Sequence, residues 1–134
     1  MAEGWTRALW ADRFDVYSAG IEARGLDLRA VRVMDEAGVD IKGQSSKTLA
    51  ALGAIAFDLV ITVCSDADRN CPVFGGRTRK VHVGFDDPPR LALGAKSEAD
   101  ALAHYRRVQG EIRTFVETLP TLVEEPAQNR QSRR

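Results

Sequence analysis

The sequence predicts an α/β domain, a parallel sheet layered with helices, and three observations predict it. Leu59, Val60, Ile61 and Val63, in the run Phe57 to Val63, are apolar and mostly β-branched with almost no polar relief, the pattern of a parallel strand covered on both faces. From Ser97 onward apolar residues recur at three- and four-residue steps, which makes a long amphipathic helix. Strand-like and helix-like runs alternate along the chain, as layered parallel sheets require. With 134 residues the chain can bury a real core as one domain, placed at 1–120, followed by a tail at 121–134 with the composition of disorder.

Taken in order, Met1 to Trp10 reads as a helix with Met1, Trp5, Ala8 and Leu9 on one face. A helix that opens a chain sets its own α-amino charge against the positive end of its dipole and has no capping residue ahead of it, so a segment is expected upstream. Phe14 to Ala19 alternates apolar and polar residues and reads as a strand ended by Gly20. Asp27 caps a helix from Leu28 to Ala37, whose buried stripe is expected to be Leu28, Val31 and Met34 and whose stop is Gly38. Ser45 or Ser46 caps a short helix that runs through Leu52. After the Phe57 to Val63 strand, Gly75 and Gly76 mark a turn into another short strand, Arg79 to Val83. Pro89 through Lys96 reads as irregular. Ser97 then caps the long helix carrying Leu102, Tyr105, Val108, Ile112, Phe115 and Leu119, which Pro120 disrupts.

Composition excludes some functions. The 19 Lys and Arg balance the 19 Asp and Glu, so no overall field favours a polyanion, and nucleic acid is not the expected partner. No apolar run approaches the roughly 18 residues that span a bilayer, and the N-terminus lacks the apolar core of a signal peptide, which points to the cytoplasm. In that reducing compartment the two cysteines, Cys64 and Cys71, read as thiols with a redox, catalytic or metal role, or as buried core residues, rather than as a structural staple. Cys64 falls where the buried strand ends, and open α/β sheets bind their ligands beyond the carboxyl ends of their strands. The cysteines have no histidine near them in sequence and make poor zinc ligands. At the end of the next strand stand two adjacent carboxylates, Asp86 and Asp87, ahead of Pro88; taken alone they read as a turn. His82 reads as a packed or half-exposed strand residue and His104 as a solvated helix position. Trp5 and Trp10 read as packing, and Arg106, Arg107 and Arg113 as the wet face of the long helix.

Four stretches together carry a resemblance: Met-Ala-Glu-Gly-Trp at 1 to 5, Tyr-Ser-Ala-Gly-Ile at 17 to 21, the loop Cys64-Ser-Asp-Ala-Asp-Arg-Asn-Cys71-Pro, and Phe85-Asp-Asp-Pro88. They resemble the thioredoxin-coupled arsenate reductases, which share the low-molecular-weight tyrosine phosphatase fold, and the likeness runs from Met1 to about Leu119. The resemblance implies a cysteine relay that reduces arsenate to arsenite. In it Asp87 is the general acid that protonates the leaving oxygen, Cys64 the second thiol, and Cys71 the resolving thiol that offers its disulfide to thioredoxin. No cofactor is implied. Glu3 and Ser18 resemble positions that some members use for a potassium ion, and Lys47 stands where those members carry an acidic ligand, so its ammonium replaces the ion in a vestigial site.

The family's nucleophile sits on an anion loop, Cys-x5-Arg, between a strand and the first helix. That loop and strand are expected just before Met1, so the sheet is expected to lack its first central strand. Cys71 to Arg77 has the spacing, yet no helix is expected after Arg77 to turn backbone amides toward an anion, so the match reads as coincidence. Three explanations stand: an internal methionine taken as the start, a truncated paralogue that keeps a dithiol, or a strand donated by another subunit. The 134 residues therefore read as catalytically incomplete and inactive alone, and unpaired strand edges with an opened core are expected to leave a truncated chain marginally stable, self-associating or partly unfolded. Beside the reductase stand a non-catalytic dithiol protein that binds arsenite or exchanges disulfides and, more remotely, a tyrosine phosphatase relative.

Overall fold

The computed structural model of the chain describes residues 1–19, 27–44, 55–63 and 78–124. Its elements are α1 (Ala2–Trp10), α2 (Leu28–Glu36), β1 (Leu59–Thr62), β2 (Arg79–His82), α3 (Pro88–Ala92), α4 (Glu98–Val116) and α5 (Leu119–Glu124). The fold is of the expected class, helices layered with a parallel sheet: β1 and β2 pair in parallel, Leu59 opposite Arg79 and Thr62 opposite His82. Among the described residues no helix is long and apolar enough to cross a membrane.

The long helix α4 organises the core. Ser97 caps it by accepting from the Asp100 amide at 3.1 Å, and its stripe of Leu102, Tyr105, Val108, Ile112 and Val116 is buried, with Leu119 beyond its end. Phe115, expected in that stripe, is half-buried at its edge. Helices α1, α2 and α3 each pack on α4. Trp10 ties α1 to the end of α4 by donating its indole N–H to the Val116 carbonyl at 2.9 Å, one of the helix-end carbonyls left without an intrahelical partner. In α1 Trp5 is buried as expected, together with Glu3 and Gly4, while Ala8 is exposed. A methyl on Gly4 would stand 2.5 Å from Ile41 Cγ2, so α1 approaches the chain after α2 too closely for any side chain there.

Several expectations give way. Phe14 to Ala19 is not a strand: a strand exists by pairing, and this stretch finds no ladder partner among the described residues. It is held instead by Arg7, which donates to the Val16 carbonyl at 2.6 Å, and by Tyr17, edge-on to Phe57 at 5.7 Å. In α2 the buried face is Ala30, Val33 and Met34, whereas Leu28 is 78% exposed. The β1 residues are half-buried rather than covered on both faces; Leu59 and Ile61, on one side of the pleat, pack against the helical core. Pro88–Ala92, read as irregular from Pro89 on, forms a short helix because proline at a first helical position loses no hydrogen bond. The long helix ends at Val116, short of Leu119 and ahead of Pro120, which itself lies in the first turn of α5; the Leu122 and Val123 carbonyls of α5 accept from the Arg79 guanidinium. The expected helix from Ser45 or Ser46 to Leu52 and most of the expected tail lie outside the described residues.

Candidate active site

Parallel strands end on the same side of a sheet, and a cleft of about 270 Å³ opens at that end. Val63 enters it directly beyond β1; Phe85, Asp86, Asp87 and Pro88 enter from the connection beyond β2; Arg90 comes from α3. Met1 and Ala2 at the start of α1 and the buried Val108 and Ile112 of α4 complete the lining. This is the position at which open α/β sheets hold ligands.

Local chain rules build the acidic connection. The Val83 amide donates to the Thr62 carbonyl at 2.8 Å, carrying the pairing one residue past β2, and the Phe85 amide donates back to Val83 at 3.0 Å. Asp87 then precedes a proline and takes the extended backbone that proline imposes on its predecessor, φ −93° and ψ 102°. Its carbonyl accepts from Leu91 at 3.1 Å to start α3, but its carboxylate caps nothing.

The two neighbouring aspartates therefore differ. Asp86 Oδ2 accepts from Arg107 Nη2 of α4 at 3.0 Å. The same guanidinium donates to Glu111 Oε2 at 3.0 Å, and the bonds to Glu111 and to Asp86 hold its pKa above the ordinary arginine value. The Asp87 carboxylate is exposed at the cleft and has no hydrogen-bond partner among the described residues. A carboxyl group so placed can give a proton to, or take one from, an oxygen of a bound ligand. Arg90 adds positive charge to the lining.

Glu3 and Ser18 also meet. Buried Glu3 accepts from the Ser18 hydroxyl through Oε1 and from Arg7 Nε at 2.9 Å through Oε2. Both carboxylate oxygens are thus engaged, and a guanidinium already offsets the charge. The arrangement does not fit a metal ion. Lys47 lies outside the described residues, as do Cys64 and Cys71, although Cys64 follows the cleft residue Val63 in the chain. After Arg77 the chain runs through Thr78 into β2, a strand, so no helix follows the Cys71 to Arg77 spacing.

Sequence reasoning missed the partners of the arginines. Arg106 makes a bidentate pair with Glu36 at 2.8 and 2.9 Å, Arg107 takes Asp86, and Arg113 lies 5.0 Å over the Trp5 ring. Only the Arg107 to Glu111 spacing, one helical turn, was visible in the sequence.

Comparison with known proteins agrees with this architecture. The chain is 43% identical over 122 residues to the arsenate reductase of Bacillus subtilis (strain 168), covering 88% of this chain and 86% of that one. It is 39% identical over 121 residues to arsenate reductase 2 of Staphylococcus epidermidis, covering 90% and 86%. Among solved structures, an arsenate reductase in the phosphate binding state superposes with a TM-score of 0.74 at 27% identity, covering 92% of this chain and 87% of that one. With residues 1–125 matching the family described as low molecular weight phosphotyrosine protein phosphatase, the chain belongs to that family and stands beside its arsenate reductases.

Proposed function

We propose that the protein is an arsenate reductase of the thioredoxin-coupled type and that its relay runs through Asp87, Cys64 and Cys71. The observation that carries this reading is the cleft at the carboxyl ends of β1 and β2, where an unengaged Asp87 carboxyl and the residue preceding Cys64 share one lining.

In the proposed sequence a nucleophilic thiolate attacks arsenate, and Asp87 gives its proton to the departing oxygen, which leaves as water. The Cys64 thiolate then attacks the nucleophile's sulfur. The electron pair of the breaking sulfur–arsenic bond stays on arsenic, which departs as arsenite, and a disulfide remains. Cys71 attacks Cys64, frees the nucleophile, and leaves a Cys64–Cys71 disulfide for thioredoxin to reduce by exchange. The nucleophile belongs on a Cys-x5-Arg loop joining a strand to a helix, and neither cysteine among these 134 residues stands in that setting. The 134-residue polypeptide is accordingly inactive by itself. A cytoplasmic setting suits a relay that needs reduced thiols.

Arsenite release in the presence of thioredoxin and its reductase tests the reading. The 134 residues alone should give none. The protein expressed from its own locus should turn over, and Cys64→Ser or Cys71→Ser should stop it. Asp87→Asn should lower its rate by about 100-fold or more, the usual worth of a positioned proton donor. Turnover by the 134 residues alone, or turnover indifferent to Cys64→Ser, would contradict it. Two thiols without a nucleophile also suit a protein that only binds arsenite. In that case titrated arsenite would bind the 134 residues and lose affinity on Cys71→Ala, and no form of the protein would reduce arsenate.

A further inference from the structure

The connection Phe85 to Pro88 is pinned from one side. The Phe85 ring stands edge-on to Phe115 of α4, centroids 6.1 Å apart at 72°. Asp86 is bonded to Arg107 of α4 at 3.0 Å, and Pro88 is buried at the start of α3, which packs on α4. Asp87 is the one of the four with no burial, ring contact, ion pair or side-chain hydrogen bond among the described residues.

We propose that Arg107 is a positioning residue: by holding Asp86 on α4 it fixes the β2–α3 connection and thereby sets where Asp87 meets the cleft. Arg107 suits this because its planar fork is occupied twice. Glu111, one turn along the same helix, takes Nη1 at 3.0 Å and orients the guanidinium, while Nη2 is left for Asp86. Without the tether the adjacent carboxylates would be interchangeable in charge and free to exchange places at the cleft. With it, one is committed to α4 and the other stays available. The Asp86 and Arg107 side chains are both about half exposed, at 58% and 44%, so the restraint is modest and local rather than a support of the whole fold.

The catalytic consequence rests on the reading of Asp87 as proton donor, but the tether is tested without it. In the labelled 134-residue polypeptide, hydrogen exchange is followed at the Phe85 and Leu91 amides, which bond to Val83 and Asp87. Arg107→Gln and Asp86→Asn should each speed that exchange about 2- to 5-fold, the range of an exposed ion pair, while the Ile112 amide in the core of α4 is unchanged. The double variant should be no faster than either single one, and Arg107→Lys, which keeps charge without the fork, should restore part of the protection. Unchanged exchange in both single variants, or additive effects in the double, would overturn the proposal. Should Arg107→Gln fail to fold, Asp86→Asn decides alone. If the tether results hold while Asp87→Asn leaves arsenite release intact, it is the proton-donor reading that fails.

Discussion

Asp27 serves two elements with one carboxylate. Oδ1 accepts from the Arg29 and Ala30 amides and caps α2, while Oδ2 accepts from the Tyr105 hydroxyl of α4 at 2.7 Å. Tyr105 is 2% exposed, and burial first, then the bond to Asp27, hold its pKa above the ordinary tyrosine value of 10.0. Tyr105→Phe should therefore cost about 1.5–3 kcal/mol near neutrality, the range for a hydrogen bond to a charged group. A group whose folded pKa is raised contributes in full below its unfolded pKa and loses that contribution as pH climbs. The difference between wild type and Tyr105→Phe should accordingly narrow above pH 10. Denaturant titrations at pH 7 and above pH 10 measure it, and a difference that widened would place the bond elsewhere.

The helices show what a sequence conceals. Leu28, Val31 and Met34 read as a stripe because they are apolar and recur every three residues, a step that passes over the equally apolar Val33. The face that turns inward is Ala30, Val33 and Met34, with Val31 and Ala37 half-buried against the core, so Leu28 alone leaves the expected stripe, and the two small alanines carry little hydrophobic signal. Val33→Ala should cost roughly 1.5–3 kcal/mol, and Leu28→Ala should stay within about 0.5 kcal/mol; equal losses would restore the other face. Two bidentate pairs clasp α2 to α4, Arg29 with Glu98 at 3.0 Å and Arg106 with Glu36 at 2.8 and 2.9 Å. The arginine bonds hold both glutamates below their ordinary value of 4.5. A depressed pKa contributes above the unfolded value and is lost below it, so this clasp should weaken as pH falls below 4.5. The loss should be smaller at high salt, because the pairs are exposed, and smaller again in the Glu36→Gln, Glu98→Gln double variant. Unfolding followed from pH 6 to 3 at two salt concentrations checks both. The caps at Asp27 and Ser97 and the stripe of α4 were legible because each is a local pattern. The loss of the 14–19 strand was not, since it depends on a pairing partner that local alternation does not specify. Nor was α3, since prolines that look like breakers are compatible with a helix's first turn.

At the scale of the molecule, two parallel strands aim their ends at one cleft, α4 backs it, and the acidic connection hangs between β2 and α4. Sequence located the acidic pair and the strand end at which the first cysteine falls, because both are short motifs placed at strand termini. It could not tell which of two adjacent carboxylates is free, since that is decided by Arg107, 20 residues beyond Asp87 on another element. The proposed function needs Cys64 and Cys71 to reach each other beside that cleft. Mild oxidation of the 134-residue polypeptide, followed by peptide mapping before and after thioredoxin, asks this directly. The account predicts one intramolecular Cys64–Cys71 disulfide that thioredoxin opens. Thiols that stay unpaired, or that pair only between chains, would contradict it.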